Sequence, residues 1–239
     1  MSDSTNDKLA QRRSLGLPKL HQKMQQAKSQ IDKNDPSTLP NRIALMLDCS
    51  GSMAGDKIQS LRDACTSYVQ QCDFRDTALA IEAFPSGFSD WDEIDQRRAN
   101  ATTRIALTSV QPFLMTTVMS LNASGGTPLT EAMIYVLNTY SITRGIIVSD
   151  GDANNPYSAI ESAKDYREAG IPVDCVHIGS SSQGEDTLQQ IAELTGGKFI
   201  KFTDIASFGR SFKYLTPALY GSLTDGSASA NLLGAKEIK

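Results

Sequence analysis

The stretch DCSGS at residues 48–52 places one carboxylate and two hydroxyls at alternate positions, directly after an apolar run. Small oxygen-bearing side chains in such a pattern could cap a helix, supply an activated nucleophile, cradle a phosphate or hold a hard metal ion. Each of these chemistries makes a different demand on the rest of the chain.

Two further segments carry oxygen ligands. A second apolar run ends at Asp150, and the glycine-rich turn SGGTPL at residues 124–129 places Thr127 before a predicted helix. Since ligands of doubly wound sheets bind beyond the carboxyl ends of the strands, both aspartates are expected at that edge. The combined set contains two carboxylates and three hydroxyls: Asp48, Ser50, Ser52, Thr127 and Asp150. Mg²⁺ takes about six oxygen ligands and retains waters, so this set predicts a magnesium site with a coordination position to spare.

This combination resembles the metal-ion-dependent adhesion site of von Willebrand factor type A domains, and by element order the resemblance runs from about Arg42 to about Tyr220. It implies that the three hydroxyls contact the metal, that both aspartates bind it directly or through water, and that the open position accepts an Asp or Glu carboxylate of a partner protein. Mg²⁺ is the expected ion, with Mn²⁺ and Ca²⁺ as alternatives. Asp152 is expected to act indirectly, by tuning charge or bonding nearby backbone.

Strand-like and helix-like runs alternate from residue 42 onward, which predicts an α/β fold: a doubly wound, Rossmann-like, mostly parallel sheet with helices on both faces. Strands are expected at 42–48, 77–84, 103–110, 144–150, 171–179 and 198–202, and helices at 58–72, 128–140, 158–170 and 185–196. No obvious helix joins the third strand to its neighbours, so this strand is expected to form a short antiparallel edge.

The two ends of the chain differ from its centre. Residues 1–40 form a polar arm with one predicted helix at 18–33, residues 41–220 form the domain, and residues 221–239 are expected to be a flexible tail with a short apolar end. The net charge is −4, with +3 on the arm and −7 on the remainder. This balance argues against nucleic acid as the main partner.

Composition also limits the location of the protein. No apolar run is long enough to span a membrane, and the first residues lack the apolar core of a secretory signal. The four cysteines have neither zinc-site spacing nor disulfide density. These features predict a cytoplasmic protein with reduced thiols.

Three other interpretations compete with an adhesion-type site. Asp150, Asp152, Asn154 and Glu161 stand at positions 1, 3, 5 and 12 of a calcium loop, although the helix expected before it is missing. Ser50 and Ser52 could instead cap the helix that begins near Asp56. A metal-dependent hydrolase would use the same ion as a Lewis acid, with Asp152 as the available base. Serine hydrolysis lacks a nucleophile elbow, and His177 is expected to be an ordinary strand residue.

The favoured interpretation is a non-enzymatic protein-interaction module. Phe88 and Trp91, in a long acidic loop, are candidate partner contacts. The resemblance implies partners such as an AAA+ ATPase of the MoxR type or a multiprotein scaffold. Self-assembly is an alternative, with Glu237 of the tail occupying a neighbouring subunit's metal.

Overall fold

The computed structural model describes residues 35–85 and 104–202 and the backbone of residues 236–237. The chain divides into two units, Met1–Thr38 and Leu39–Lys239. The described part of the first unit is a 3₁₀ turn, Pro36–Thr38, in which the Thr38 N–H donates to the Asp35 carbonyl at 3.1 Å. The helix predicted at 18–33 lies outside the described residues.

The second unit alternates strands and helices. The strands are β1 (Asn41–Asp48), β2 (Thr77–Phe84), β3 (Arg104–Thr108), β4 (Arg144–Ser149), β5 (Val173–Ile178), β6 (Phe199–Phe202) and β7 (Lys236–Glu237). The helices are α1 (Asp56–Gln71), α2 (Gln111–Ser120), α3 (Leu129–Thr139), α4 (Pro156–Glu168) and α5 (Ser182–Thr195), and a 3₁₀ turn, Gly51–Met53, precedes α1. Strand periodicity therefore predicted β1 to β6 to within a few residues.

The seven described strands form one sheet in the order β3-β2-β1-β4-β5-β6-β7. The five central strands, β2-β1-β4-β5-β6 in sheet order, pair in parallel. At the two edges, β3 runs antiparallel to β2 and β7 runs antiparallel to β6. The predicted doubly wound fold and the antiparallel edge at β3 are thus confirmed. The chain leaves β1 for β2 on one side and later returns to β4 on the other, so the strand order reverses between β1 and β4.

Helices cover both faces of the sheet, which explains why the central strands are apolar at nearly every position. Leu45 and Leu47 of β1 pack in a cluster with side chains of α1 and α2. Ala44 and Met46, on the opposite face, pack with side chains of α3, α4 and α5. Because adjacent residues of β1 enter different cores, this strand is fixed from both sides.

Helix α2 was not predicted from the sequence. The apolar and polar residues of QPFLMTTVMS are mixed around the helix, so the one-sided periodicity of a surface helix is missing. Leu114 and Val118 face the core, whereas Phe113 and Met119 are exposed. Packing against the sheet decides the helical conformation here.

The antiparallel edge strand is held by a buried charge. Glu82 of β2 is fully buried and accepts two hydrogen bonds from the Arg104 guanidinium of β3, at 2.6 and 2.7 Å. The same guanidinium lies 3.6 Å from the ring centroid of Tyr135 on α3. The charge of Glu82 is therefore compensated where the strand joins the sheet.

The far edge of the sheet ends in β7, whose Lys236 and Glu237 pair with Lys201 and Ile200 of β6. The other residues of the predicted tail lie outside the described part.

Among the helices that the structure describes, none is long and apolar enough to cross a membrane.

Candidate metal centre

The candidate ligands lie where the strand order reverses. Strands β1 and β4 are paired neighbours, with Leu47 opposite Val148, so Asp48 at the end of β1 and Asp150 just after β4 lie at the same edge of the sheet. This crevice is the position at which doubly wound sheets bind ligands. The apolar pattern of the two strands is sufficient to place both carboxylates there.

Asp48 is fully buried and held through both of its oxygens. Its Oδ1 accepts a 2.8 Å hydrogen bond from the Ser50 N–H, and its Oδ2 accepts a 2.5 Å hydrogen bond from the Ser149 hydroxyl. Burial raises the pKa of Asp48 to about 6, although the hydrogen bonds from Ser149 and Ser50 act to lower it. Each oxygen keeps a second lone pair for a further partner.

The two serines of the first loop bring their hydroxyls together. Ser50 Oγ and Ser52 Oγ are 2.9 Å apart, with Ser50 buried and Ser52 exposed. The helix-capping interpretation is wrong, because Gly55 is the N-cap of α1 and the Ser50 side chain makes no capping hydrogen bond to the 3₁₀ turn. The hydroxyls therefore do not serve as caps.

Thr127 is buried in a loop held between two others. On one side the Gly51 N–H donates to the Gly125 carbonyl at 2.9 Å, and the Ser124 N–H donates to the Cys49 carbonyl at 2.7 Å. On the other side the Thr127 N–H donates to Asn154 Oδ1 at 2.9 Å, and the Asn154 N–H returns a bond to the Thr127 carbonyl at 3.0 Å. The segment that carries Thr127 is thereby bonded to the loops that follow β1 and β4.

Asp150 is 4% exposed, and its two oxygens have different surroundings. Oδ2 accepts a 2.9 Å ion-paired hydrogen bond from the Lys57 ammonium at the start of α1. Within the described part of the chain, Oδ1 is buried and has no hydrogen-bond partner. A buried carboxylate oxygen without a partner is costly unless something else binds it.

Residues of β5 and α5 contact the backbone of Asp150. His177 Nε2 is 3.0 Å from the Asp150 carbonyl oxygen, and burial lowers the pKa of this histidine. A Cβ placed on Gly184 would lie only 2.3 Å from the same carbonyl oxygen. His177 is a buried residue of β5, as expected, and it also contacts the backbone of Asp150.

The calcium-loop interpretation does not fit the contacts. Asp152 is exposed and accepts a 2.5 Å hydrogen bond from the Ser181 hydroxyl. Asn154 is bonded to Thr127, and Glu161 pairs with Lys164 one turn further along α4. These side chains are engaged separately and do not surround one point.

Four residues that contact the site were not assigned to it from the sequence: Lys57 and Ser149 were not singled out, and Asn154 and His177 were given other roles. Ser149 had a local signal, since it precedes Asp150 at the end of an apolar strand. The other three act through partners about 27 or 93 residues away, which no local pattern reveals. The predicted partner contacts Phe88 and Trp91 lie outside the described residues.

The donor set suits a hard divalent cation. It consists of carboxylate and hydroxyl oxygens, as Mg²⁺ and Mn²⁺ prefer, and it includes one buried carboxylate oxygen for which the described residues supply no hydrogen-bond partner. Groups of three or more His, Cys, Asp or Glu able to hold a metal are absent from the described residues, so a soft or all-carboxylate site is not formed there. Any cation held here would depend on the hydroxyls of Ser50, Ser52 and Thr127.

The strand order and the flanking helices define a doubly wound α/β domain, and comparison with known families identifies its kind. The family model of the von Willebrand factor type A domain matches residues 43–213, more than half of the chain. The protein therefore belongs to the von Willebrand factor type A family, whose domains mediate protein-protein interactions. Curated protein sequences give no match.

Solved structures share the fold at low sequence identity. The vWF domain of the type V pili tip protein Mfa5 from Porphyromonas gingivalis has a TM-score of 0.59 at 12% identity, covering 80% of this chain and 99% of that one. Manganese-loaded TRAP protein from Plasmodium vivax has 0.50 at 18%, covering 64% and 62%. Proximal thread matrix protein 1 from the mussel byssus, with a zinc-occupied MIDAS motif, has 0.55 at 15%, covering 74% and 45%.

Proposed function

We propose that this protein is a non-enzymatic interaction module that binds a divalent cation through Asp48, Ser50, Ser52, Thr127 and Asp150, and captures an Asp or Glu carboxylate of a partner protein. The observation that carries this proposal is Asp150 Oδ1, a buried carboxylate oxygen without a hydrogen-bond partner among the described residues. A cation bound to it would remove the cost of burying it unpaired.

Mg²⁺ is the proposed ion, because its octahedral shell accepts hydroxyls and keeps waters. Mn²⁺ in TRAP and zinc in the mussel protein support a divalent cation in this fold. Two formal carboxylates in the cage would leave the cation electrophilic, so an anionic oxygen from outside would be attracted to it. Ser52 is exposed, so solvent reaches at least this residue of the proposed ligand set.

The first test is the effect of Mg²⁺ or Mn²⁺ on thermal unfolding. Wild type is expected to gain about 5–10 °C in Tm at a cation concentration of about 100 times Kd. Asp48→Asn and Ser52→Ala should lose this gain. Ser124→Ala is the matched control, since Ser124 is an exposed serine of the neighbouring loop that is not a proposed ligand. A gain that persists in Asp48→Asn would place the cation elsewhere.

The second test concerns the carboxylate. Paired short peptides that differ only in one central Asp or Asn are presented to the metal-loaded protein, and binding is followed by calorimetry. Only the Asp peptide should bind, and chelator should abolish its binding. Equal binding of both peptides, or binding in chelator, contradicts capture through the metal.

The proposed partner is defined by its chemistry, an accessible Asp or Glu. An AAA+ ATPase of the MoxR type, or a second copy of this chain through Glu237, is a candidate because it can present such a residue.

A cytoplasmic location is likewise a proposal, supported by four buried cysteines that form no disulfide. Cell fractionation tests it.

A binding role is favoured over hydrolysis because the only carboxylate assigned as a base, Asp152, is exposed and bonded to Ser181. Magnesium-dependent turnover of a phosphoester by wild type, lost in Asp152→Asn, would overturn the non-enzymatic proposal.

A further inference from the structure

Lys57 stands in the first turn of α1 and reaches into the candidate metal centre. Its ammonium lies 2.9 Å from Asp150 Oδ2, with the lysine side chain 32% exposed and the aspartate side chain 6% exposed. Exposed ion pairs contribute little, but here one partner is almost fully buried. The Lys57 ammonium therefore contributes to the electrostatics of the site.

The two oxygens of Asp150 divide their roles. Oδ2 is occupied by the lysine, and Oδ1 is the buried oxygen that has no partner in the described part of the molecule. Since a carboxylate can serve different partners with its two oxygens, Asp150 can bind a cation through Oδ1 while keeping Lys57 on Oδ2. Metal binding does not require the lysine to leave.

We propose that Lys57 is a second, covalently attached cation of this site, which weakens metal binding and strengthens the capture of a carboxylate by the loaded site. This inference rests on the proposed function. Asp48 and Asp150 contribute two negative charges and Lys57 one positive charge, so the three groups sum to −1. A divalent cation brings the sum to +1.

The sign of the loaded site decides what it attracts. Without the lysine, two carboxylates and a divalent cation would sum to zero, and an incoming carboxylate would meet only the local field of the ion. With the lysine, the loaded site keeps a net positive charge, and opposite charge on a ligand is favoured. The same lysine repels the metal and compensates Asp150 when no metal is bound.

The test compares Lys57→Met with Lys164→Met, which makes the same change in net charge. Lys164 is a suitable control because its ammonium pairs with Glu161 on α4 and not with a site residue. Mn²⁺ binding is measured by calorimetry, and metal-free stability by thermal unfolding in chelator. Should Lys57→Met fail to fold, Lys57→Gln replaces it, since an amide can still donate to Asp150.

Lys57→Met is expected to bind Mn²⁺ about tenfold more tightly than wild type and to unfold at a lower temperature in chelator. Acetate serves as the carboxylate probe, with chloride at the same ionic strength as its control. Acetate should raise the apparent Mn²⁺ affinity of wild type and raise that of Lys57→Met less, because binding of the two ligands is reciprocally coupled. Lys164→Met should match wild type in all three measurements.

The outcomes separate this inference from the proposed function. If wild type binds Mn²⁺ through Asp48 but Lys57→Met behaves like Lys164→Met, the proposed function stands and the role of Lys57 is overturned. If only Lys57→Met binds Mn²⁺, Lys57 is itself the resident cation, and metal binding by wild type is overturned. Absence of binding in both proteins overturns both proposals.

Discussion

Ser149, the last residue of β4, donates its hydroxyl to Oδ2 of Asp48, the last residue of β1, at 2.5 Å. The same oxygen, Ser149 Oγ, accepts a 2.8 Å hydrogen bond from the Gly151 N–H. Asp48 and Ser149 are both buried, so this short chain of bonds couples the loop after β4 to the carboxylate at the end of β1. Asp48 is oriented by a residue outside the proposed ligand set.

Ser149→Ala should therefore weaken metal binding without removing a ligand. Asp48 loses its orienting donor, and the buried Gly151 N–H loses its acceptor. We expect a loss of about 10- to 100-fold in Mn²⁺ affinity and about 1–3 kcal/mol in the free energy of unfolding. Calorimetry and urea denaturation measure the two quantities.

Ser162→Ala is the matched control for that prediction. Ser162 is a buried serine of α4 whose hydroxyl donates to the Ala159 carbonyl of its own helix at 2.8 Å. Its removal should lower stability slightly and leave Mn²⁺ affinity unchanged. Equal Mn²⁺ affinity in Ser149→Ala and Ser162→Ala would show that Ser149 does not prepare Asp48 for a metal.

Metal binding should depend on pH through Asp48. Burial raises its pKa from 3.8 in the unfolded chain to about 6 in the metal-free fold. Protonated Asp48 stabilises the fold. This stabilisation is fully present below the unfolded pKa of 3.8 and is lost as the pH rises through the folded pKa of about 6. A divalent cation competes with this proton, so apparent Mn²⁺ affinity should fall about tenfold per pH unit below about pH 6.

The measurement is the Tm gain produced by Mn²⁺ at about pH 5 and about pH 7.5, with a larger gain expected at the higher pH. Asp48→Asn should show no gain at either pH. A gain in wild type that is the same at both values means that no carboxyl with a raised pKa takes part in binding.

Gly184 should matter to the site through close packing. A Cβ at this position would lie 2.3 Å from the Asp150 carbonyl oxygen, so Gly184→Ala forces α5 and the Asp150 loop apart. We expect a loss of about 1–3 kcal/mol in the free energy of unfolding, together with weaker Mn²⁺ binding. Urea denaturation and calorimetry follow both effects.

Gly196→Ala is the control that introduces backbone strain without displacing the Asp150 loop. Gly196 ends α5 with a φ of 73°, and a Cβ there meets nothing within 4 Å. Its replacement should cost about 1–2 kcal/mol through backbone strain and leave Mn²⁺ affinity unchanged. If both glycine variants bind Mn²⁺ as wild type does, close packing against Gly184 does not position Asp150.

The cysteines should be unreactive in the folded protein. All four are buried, and burial raises the pKa of Cys72 from 9.0 to about 12 and those of the other three further. At about pH 8, Cys72 therefore holds about a thousandfold less thiolate than an ordinary cysteine. Titration with a thiol reagent should detect no rapid reaction in the native protein and four thiols in denaturant.

Cys72 should react first on long exposure, because it is the least buried and has the smallest rise in pKa. Cys72→Ala should therefore remove the earliest phase of the reaction. Persistence of that phase in Cys72→Ala would assign it to another cysteine.

Local sequence determined the positions of the proposed ligands along the chain. Continuous apolar runs predict buried parallel strands, and Asp48 and Asp150 are the residues at which two such runs end. The glycine turn before α3 marked Thr127 in the same way. These signals are local, because the backbone period and the turn residues act within a few positions.

Tertiary structure decided what surrounds those ligands. Lys57 meets Asp150 across 93 residues, Ser149 meets Asp48 across 101, and Asn154 meets Thr127 across 27. Such pairs depend on which strands become neighbours, and many polar side chains could have filled the same roles. Helix α2 was hidden for a related reason: its apolar residues follow no period, so only packing on the sheet fixes its conformation.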